Sequence, residues 1–193
     1  MKSRVTTKQG DDGTSRTLAG EVLPKSHVLF ECCGWIDSLR AHTALLRLEL
    51  IEQQPEEFED LSQFLLWVMH AYFLIGTACN DPLRTHPEYR KGEIGPDHLR
   101  RLEEEQERLE ASLRLPKAFV VSATNRPAAL ADLTATVARA LERQVVRLKE
   151  AEPGFEAAHI LAFVNRLSDY FYVLARYLEE GRHHAVNYGV LEG

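Results

Sequence analysis

The stretch Asn165–Tyr177, NRLSDYFYVLARY, decides the fold, because its residues sort into two rows at helical spacing. Val164, Leu167, Phe171, Leu174 and Leu178 recur at three- and four-residue intervals, the apolar stripe by which a helix packs against other helices. Asn165, Asp169, Tyr172 and Arg176 fall on a second row at i, i+4, i+7 and i+11. Spacing alone reads that row as a solvated face with an Arg166–Asp169 pair, worth about 0.3 kcal/mol.

Around this stretch the composition is that of one globular domain: 193 residues, 45% hydrophobic and 27% charged, enough for a sizeable core. Lys and Arg total 23 against 29 Asp and Glu, a net charge of -6. That balance excludes the broad basic footprint that nucleic acid requires. The first residues, MKSRVTTKQG, lack the apolar centre of a secretory signal, so a cytoplasmic location is expected. Phe64–Cys79 is the longest apolar run, but His70 and Thr77 interrupt it; a buried helix is expected there, not a membrane span. Cys32, Cys33 and Cys79 lack zinc-type spacing, so free thiols are expected and no metal site is assigned.

Thr6–Lys25 is rich in Gly, Thr, Ser and Asp without a sustained apolar period, and reads as a loop. Gly10, Gly13 and Gly20 allow tight turns that present N–H groups to an anion, with Lys8 and Lys25 as cations. A floppy terminus is the ordinary alternative. Four further helices follow. Val28 to about Gln54 is stopped by Pro55, with Phe30, Cys33, Ile36, Leu39, Leu45, Leu48 and Ile51 as its apolar set. A second helix runs from about Glu57 to Cys79; after a Pro- and Gly-rich connection, a third runs from Asp97, its expected N-cap, to about Leu113, with Pro116 beyond its end. The fourth, Pro127 to about Glu150, carries Leu130, Leu133, Val137, Leu141 and Leu148 inward and Asp132, Thr136, Arg139 and Arg143 on a polar row. Two arginines one turn apart suit an anion. The expected architecture is all-α, an up-and-down five-helix bundle of ferritin-like type. The whole of 1–193 is one domain, with 1–27 as an N-terminal loop and 182–193 as a flexible tail; Gly181 is the expected residue just past the last helix.

The final helix resembles that of the PduO-type ATP:cob(I)alamin adenosyltransferases, whose motif is close to NRLSDYLFVLAR; the Phe171–Tyr172 pair differs. The opening is similar to the family's TKxGDxGxTxL: Thr7, Lys8, Gly10, Asp11 and Gly13 match, Ser15 stands for Thr, and Gly20 and Lys25 match. In ECCGWIDSLR, Glu31, Gly34, Asp37 and Leu39 keep the pattern RxEAxGxxDELN, while DELN has become DSLR. Phe73 and Gly76 match the second helix, and His70 is not assigned as a cobalt ligand.

Two blocks depart from the family. In PKAFVVSATNRPAAL, Phe119 and Val120 remain, but a proline and two glycines are replaced by Ser122, Ala123 and Thr124; a reshaped loop is expected, since Ala and Thr resist positive φ. Against LHxARTxxRRxER, Thr136, Arg139, Glu142 and Arg143 match, whereas Asp132, Ala135 and Ala140 replace a His and two Arg.

The resemblance implies transfer of the 5′-deoxyadenosyl group of ATP to cob(I)alamin, giving adenosylcobalamin and triphosphate. The alternative is a weakened or inactive paralogue that binds cobalamin, another tetrapyrrole or a nucleotide as carrier or sensor. By position, Thr7, Lys8, Gly10, Asp11, Gly13, Ser15, Lys25, Arg139, Glu142, Arg143 and Asn165 serve ATP with Mg2+, Phe119 the corrin, and Asp37 a boundary between chains; Arg139, Asp37 and Asn165 are the catalytic candidates. The resemblance also implies a homotrimer with the corrinoid and ATP held between subunits, and a reductase or cobalamin-dependent enzyme as a possible further partner. It implies that Ala135→Arg raises transfer, set against the expectation that the helix has repacked around Ala135.

Overall fold

The computed structural model describes residues 6–115 and 117–191. Pro116 and the outermost residues of the expected loop and tail, 1–5 and 192–193, lie outside them. Five helices carry the fold: α1 (Val28–Gln53), α2 (Glu59–Asn80), α3 (Pro96–Glu110), α4 (Arg126–Ala151) and α5 (Ala158–Leu178). Helix α1 packs between α2 and α4, and α5 between α4 and α3. Cross-helix pairs set the directions. Arg47, late in α1, meets the Ser62 carbonyl early in α2 at 3.0 Å, Glu49 meets Arg126 at 3.2 Å, and Arg176 meets Asp132 at 2.8 Å, so the helices of each of these pairs run antiparallel. Arg166 meets Glu103 at 3.0 Å on α3. The expected up-and-down bundle is therefore the observed one, with two two-stranded ribbons added: β1 (Thr14–Arg16) with β2 (Val22–Pro24), and β3 (Val120–Val121) with β4 (His184–Ala185), both antiparallel.

The stripe of α5 holds as read: Val164, Leu167, Phe171, Leu174 and Leu178 are all buried. Phe163 and Phe171 are fully enclosed, each worth roughly 1.5 to 3 kcal/mol by area removed from water. The polar row of α5 is not uniformly solvated, however: Arg176 is only 3% exposed. It leaves water because Asp132 and Glu179 both reach its guanidinium at 2.8 Å, which neutralises a charge too costly to bury alone.

Two inward stripes differ from expectation. In α1 the buried set is Leu29, Cys32, Ile36, Leu39, Thr43, Leu46, Glu49 and Leu50, while Leu45 and Leu48 stand exposed. Apolar residues ring much of this helix, and its two neighbours select the face that spacing could not. In α4, Leu133 is exposed and the inner face is small, with Ala128, Ala131, Ala135 and Ala138 buried, which lets α1 and α5 approach closely. Helix α3 starts at Pro96 on an extended Gly95, not at Asp97; proline suits a first turn whose N–H groups lack helical partners, and Asp97 pairs with Arg100 instead. Past α5, Glu180 (φ 50) precedes Gly181 (φ 76) in the left-handed region, so the turn begins one residue earlier than expected.

Among the described residues, α2 is the one helix long and apolar enough to cross a membrane by length and composition, and half of that window is buried inside the bundle. His70 and Phe73 interrupt its inner surface by facing outward.

Candidate functional site

The N-terminal segment is a hydrogen-bonded turn. Asp12 accepts from the Thr14 N–H at 3.0 Å and from its hydroxyl at 2.7 Å. The hydroxyl and backbone bonds from Thr14 hold the Asp12 carboxyl below the usual carboxylate range. Gly13 (φ 84) donates its N–H to the Gly10 carbonyl at 3.3 Å, and the Lys25 N–H reaches the Gly13 carbonyl at 2.9 Å. Gly10 is required by space: a Cβ there would lie 2.9 Å from the Thr14 carbonyl oxygen. The Lys25 ammonium rests on the Gly10 carbonyl at 2.6 Å. Lys8 takes φ 60, and Thr7, Lys8 and Asp11 are exposed, while Ser15 sits half-buried in β1 opposite Leu23. One further tie anchors the loop: the Leu18 N–H donates to Asn80 Oδ1 at 2.6 Å, at the end of α2.

On α4, Arg139 and Arg143 are exposed, and no carboxylate lies within 4.0 Å of either among the described residues. Glu142 stands between them in sequence but is held elsewhere, accepting from Asn165 Nδ2 at 3.0 Å across the α4–α5 contact. That bond turns the one neighbouring acid away, leaving two unquenched cations on an outer face. Ala135 and Ala140 are buried, 6% and 5% exposed.

Asp37 pairs with Arg40 at 2.8 Å within its own chain. Arg40 lies over the Phe73 ring at 5.1 Å. This pair walls a hollow of about 220 Å³ between α1 and α2, which Leu18 of the N-terminal segment and Asn80 also line. The hollow thus joins the loop to Asp37. A wider cleft of about 530 Å³ opens at the far end of α5, walled by Phe58, Leu113, Arg176, Tyr177 and His183; no expected phosphate residue lines it, so its size is no guide to the chemistry. Among the described residues, the side chains at 7–25 bond within the loop itself and to Asn80, and none of those bonds reaches the arginine row of α4.

Phe119 is 82% exposed, immediately before β3. Ala123 adopts φ 38, so this loop holds a non-glycine residue in the left-handed region, at a cost of roughly 1–2 kcal/mol. The tail is laid against this loop: Val120 pairs with Ala185 and Val121 with His184, and the Val186 N–H donates to the Phe119 carbonyl at 2.8 Å.

Sequence reasoning missed three participants. Arg40 was signalled by DSLR and by its i, i+3 spacing from Asp37. Glu179 had the same spacing from Arg176. Asn80 carried no signal, since its tie to Leu18 spans 62 residues.

A glycine-built turn at one end of an α-bundle and unpaired arginines on an outer helix face are features that suit an anion. The chain belongs to the cobalamin adenosyltransferase family, whose model, described as Cobalamin adenosyltransferase, matches residues 5–178. A cobalamin adenosyltransferase of Cupriavidus metallidurans is 31% identical over 176 residues, covering 91% of this chain and 88% of that protein. The corrinoid adenosyltransferase of Homo sapiens is 30% identical over 181 residues, covering 92% of this chain and 70% of that protein. In fold, the chain is similar to a variant PduO-type ATP:corrinoid adenosyltransferase from Lactobacillus reuteri complexed with cobalamin and ATP, with TM-score 0.83, 24% identity and coverage of 95% and 99%.

Proposed function

We propose that the protein transfers the 5′-deoxyadenosyl group of ATP to a reduced corrinoid. The bond between the ribose 5′ carbon and the triphosphate oxygen breaks, the cobalt–carbon bond forms with the electron pair of the reduced cobalt, and triphosphate leaves. The observation that carries this reading is the pair of free cations, Arg139 and Arg143, kept unquenched by the Asn165–Glu142 bond in a chain of this family. Arg139 and Arg143 would neutralise the departing triphosphate, whose charge grows as the bond breaks. Glu142 and Asn165, already bonded to each other, would align the nucleoside between α4 and α5. Thr7, Lys8, Gly10, Asp11, Gly13, Ser15 and Lys25 would form the phosphate turn, with Lys25 moving from the Gly10 carbonyl onto phosphate and Mg2+ accompanying the triphosphate. Phe119, exposed before β3, would face the corrin.

Among the described residues, the bonds of the turn at 7–25 end on the turn itself and on Asn80, not on the arginine row, which supports a site completed by a second copy. Leu45, Leu48 and Leu133, exposed on α1 and α4, supply apolar surface for such contacts, and a homotrimer is the proposed assembly. Asp37 would lie at its boundary with Arg40 supplying the nearby cation. The residues form one helical-bundle domain with its phosphate turn within 1–27, the proposed location is cytoplasmic, and a reductase is the natural source of the reduced corrinoid.

A weakened paralogue acting as carrier or sensor is the second reading, favoured by the burial of Ala135 and Ala140 where the family carries arginines. Separate titrations with MgATP and with cob(II)alamin test the first requirement of both readings. Saturable binding of each is expected; failure of MgATP to bind overturns the phosphate-turn assignment, and failure of the corrinoid to bind overturns the transferase.

A further inference from the structure

The far end of α5 holds a buried polar knot whose members have no place in phosphate chemistry. Arg176 is 3% exposed and Glu179 is fully enclosed. The Arg176 guanidinium touches Asp132 Oδ2 and Glu179 Oε2, each at 2.8 Å, and lies 5.1 Å from the centre of the Tyr172 ring. The contact between Arg176 Nε and Glu179 Oε2 is ionic, lying off the hydrogen-bond axis. Fully burying one arginine against two carboxylates is more than charge balance demands, since Asp132 alone would neutralise it. Glu179 has a second task. Its Oε1 accepts the Thr124 N–H at 2.9 Å, next to Ala123 with its left-handed φ of 38. Asn125 then donates from Nδ2 to the Leu178 carbonyl at 2.7 Å, while its Oδ1 caps α4 on the Ala128 N–H at 2.9 Å.

The strap that carries Phe119 is thus tied at both ends to the same helix terminus. At 124–125 it is held by Glu179 and Leu178, and at 119–121 by the strand that leaves α5 through Gly181. A side chain 82% exposed has little packing of its own to fix its direction, so the strap's backbone must do so.

We infer that Glu179 is a positioning residue that aims Phe119 at the corrinoid by holding the Thr124 N–H, an assignment that rests on the adenosyltransferase reading. The carboxylate acts through its Oε1 as an acceptor. An amide in its place keeps that acceptor, and an aliphatic side chain does not.

The test is the separation of the two substrates' KM values in the full-length protein carrying Glu179→Leu, Glu179→Gln or Phe119→Ala, and in the Glu179→Leu/Phe119→Ala double variant. Glu179→Leu is expected to raise the corrinoid KM about tenfold, as one lost hydrogen bond near 1.4 kcal/mol does, with the ATP KM unchanged within about twofold. Glu179→Gln should restore most of the corrinoid affinity. In the Phe119→Ala background, Glu179→Leu should add nothing, because both act through one side chain. Additive effects, a parallel rise in the ATP KM, or a Gln variant as impaired as the Leu variant overturns the inference. If Phe119→Ala is impaired while Glu179→Leu matches the unmodified protein, the inference fails and the transferase reading stands. If Phe119→Ala leaves the corrinoid KM unchanged, the corrin-facing role of Phe119 fails as well. Should Glu179→Leu not fold, Glu179→Asp, which keeps the charge but is one methylene short of the Thr124 N–H, decides in its place by the same KM separation.

Discussion

Replacing Ala135 by arginine separates packing from chemistry. Ala135 is 6% exposed and lies between Ala131 and Ala138, both fully buried, on the α4 face that meets the other helices. Forcing a longer side chain into such a site costs about 1–3 kcal/mol in displaced neighbours, and an unpaired buried guanidinium about 3–5 kcal/mol more. A reach to Asp37, which is 67% exposed and already bound to Arg40 at 2.8 Å, would return at most roughly 1.5–3 kcal/mol. A net loss of about 3 kcal/mol remains, which lowers Tm by about 6–12 °C for a chain of this length. Calorimetry at fixed protein concentration measures it, the concentration being held because assembly shifts Tm. An equal or higher Tm together with faster adenosyl transfer would refute the packing argument and restore the sequence expectation that this position wants a cation.

Arg139→Gln should lower kcat/KM for MgATP about tenfold or more by removing a charge-assisted contact, with the corrinoid KM and Tm nearly unchanged because the side chain is exposed and unpaired; steady-state kinetics with each substrate varied checks it. Tyr170→Phe is expected to stabilise by about 1 kcal/mol, since the Tyr170 hydroxyl is buried without a partner among the described residues and an unsatisfied polar group costs that much or more; a lower urea midpoint contradicts it. Burial pushes the Asp81 carboxyl up, but the His86 N–H, the Thr85 hydroxyl and N–H, and the Arg90 guanidinium outweigh that and hold it below the usual range. A depressed folded value gives stability that is complete above the unfolded value near 3.9 and lost as pH falls through the folded one. Urea midpoints of the unmodified protein and Asp81→Asn should therefore differ at pH 6 and converge below about pH 4; a constant difference refutes the assignment.

Much of this was legible in the chain. The α5 stripe from Val164 to Leu178 has one apolar face with polar residues between, so its periodicity selects a side. Helix α1 offers apolar residues nearly all round, and only its packing against α2 and α4 buried Leu46 and Leu50 and left Leu45 and Leu48 outside. The N-terminal turn was visible through Gly10 and Gly13, which the backbone requires for space at one and positive φ at the other. Arg176 misled because a lone arginine on a polar row looks solvated; its partners Asp132 and Glu179 are 44 residues away and one turn ahead, and only the fold joins them. The positive φ of Ala123 was not legible, since Ala ordinarily resists that region. Arg40, one turn along from Asp37, pairs with it on the same helix, a contact that the i, i+3 spacing made readable.

The most direct measurement is single-turnover reaction of the unmodified protein with MgATP and chemically reduced corrinoid, following the adenosylated corrinoid by absorbance and the released phosphate species by chromatography. The account predicts adenosylcorrinoid and intact triphosphate in equal amounts, at a rate limited by the two remaining arginines. Binding of both substrates with neither product formed would contradict it and leave the carrier or sensor reading in its place.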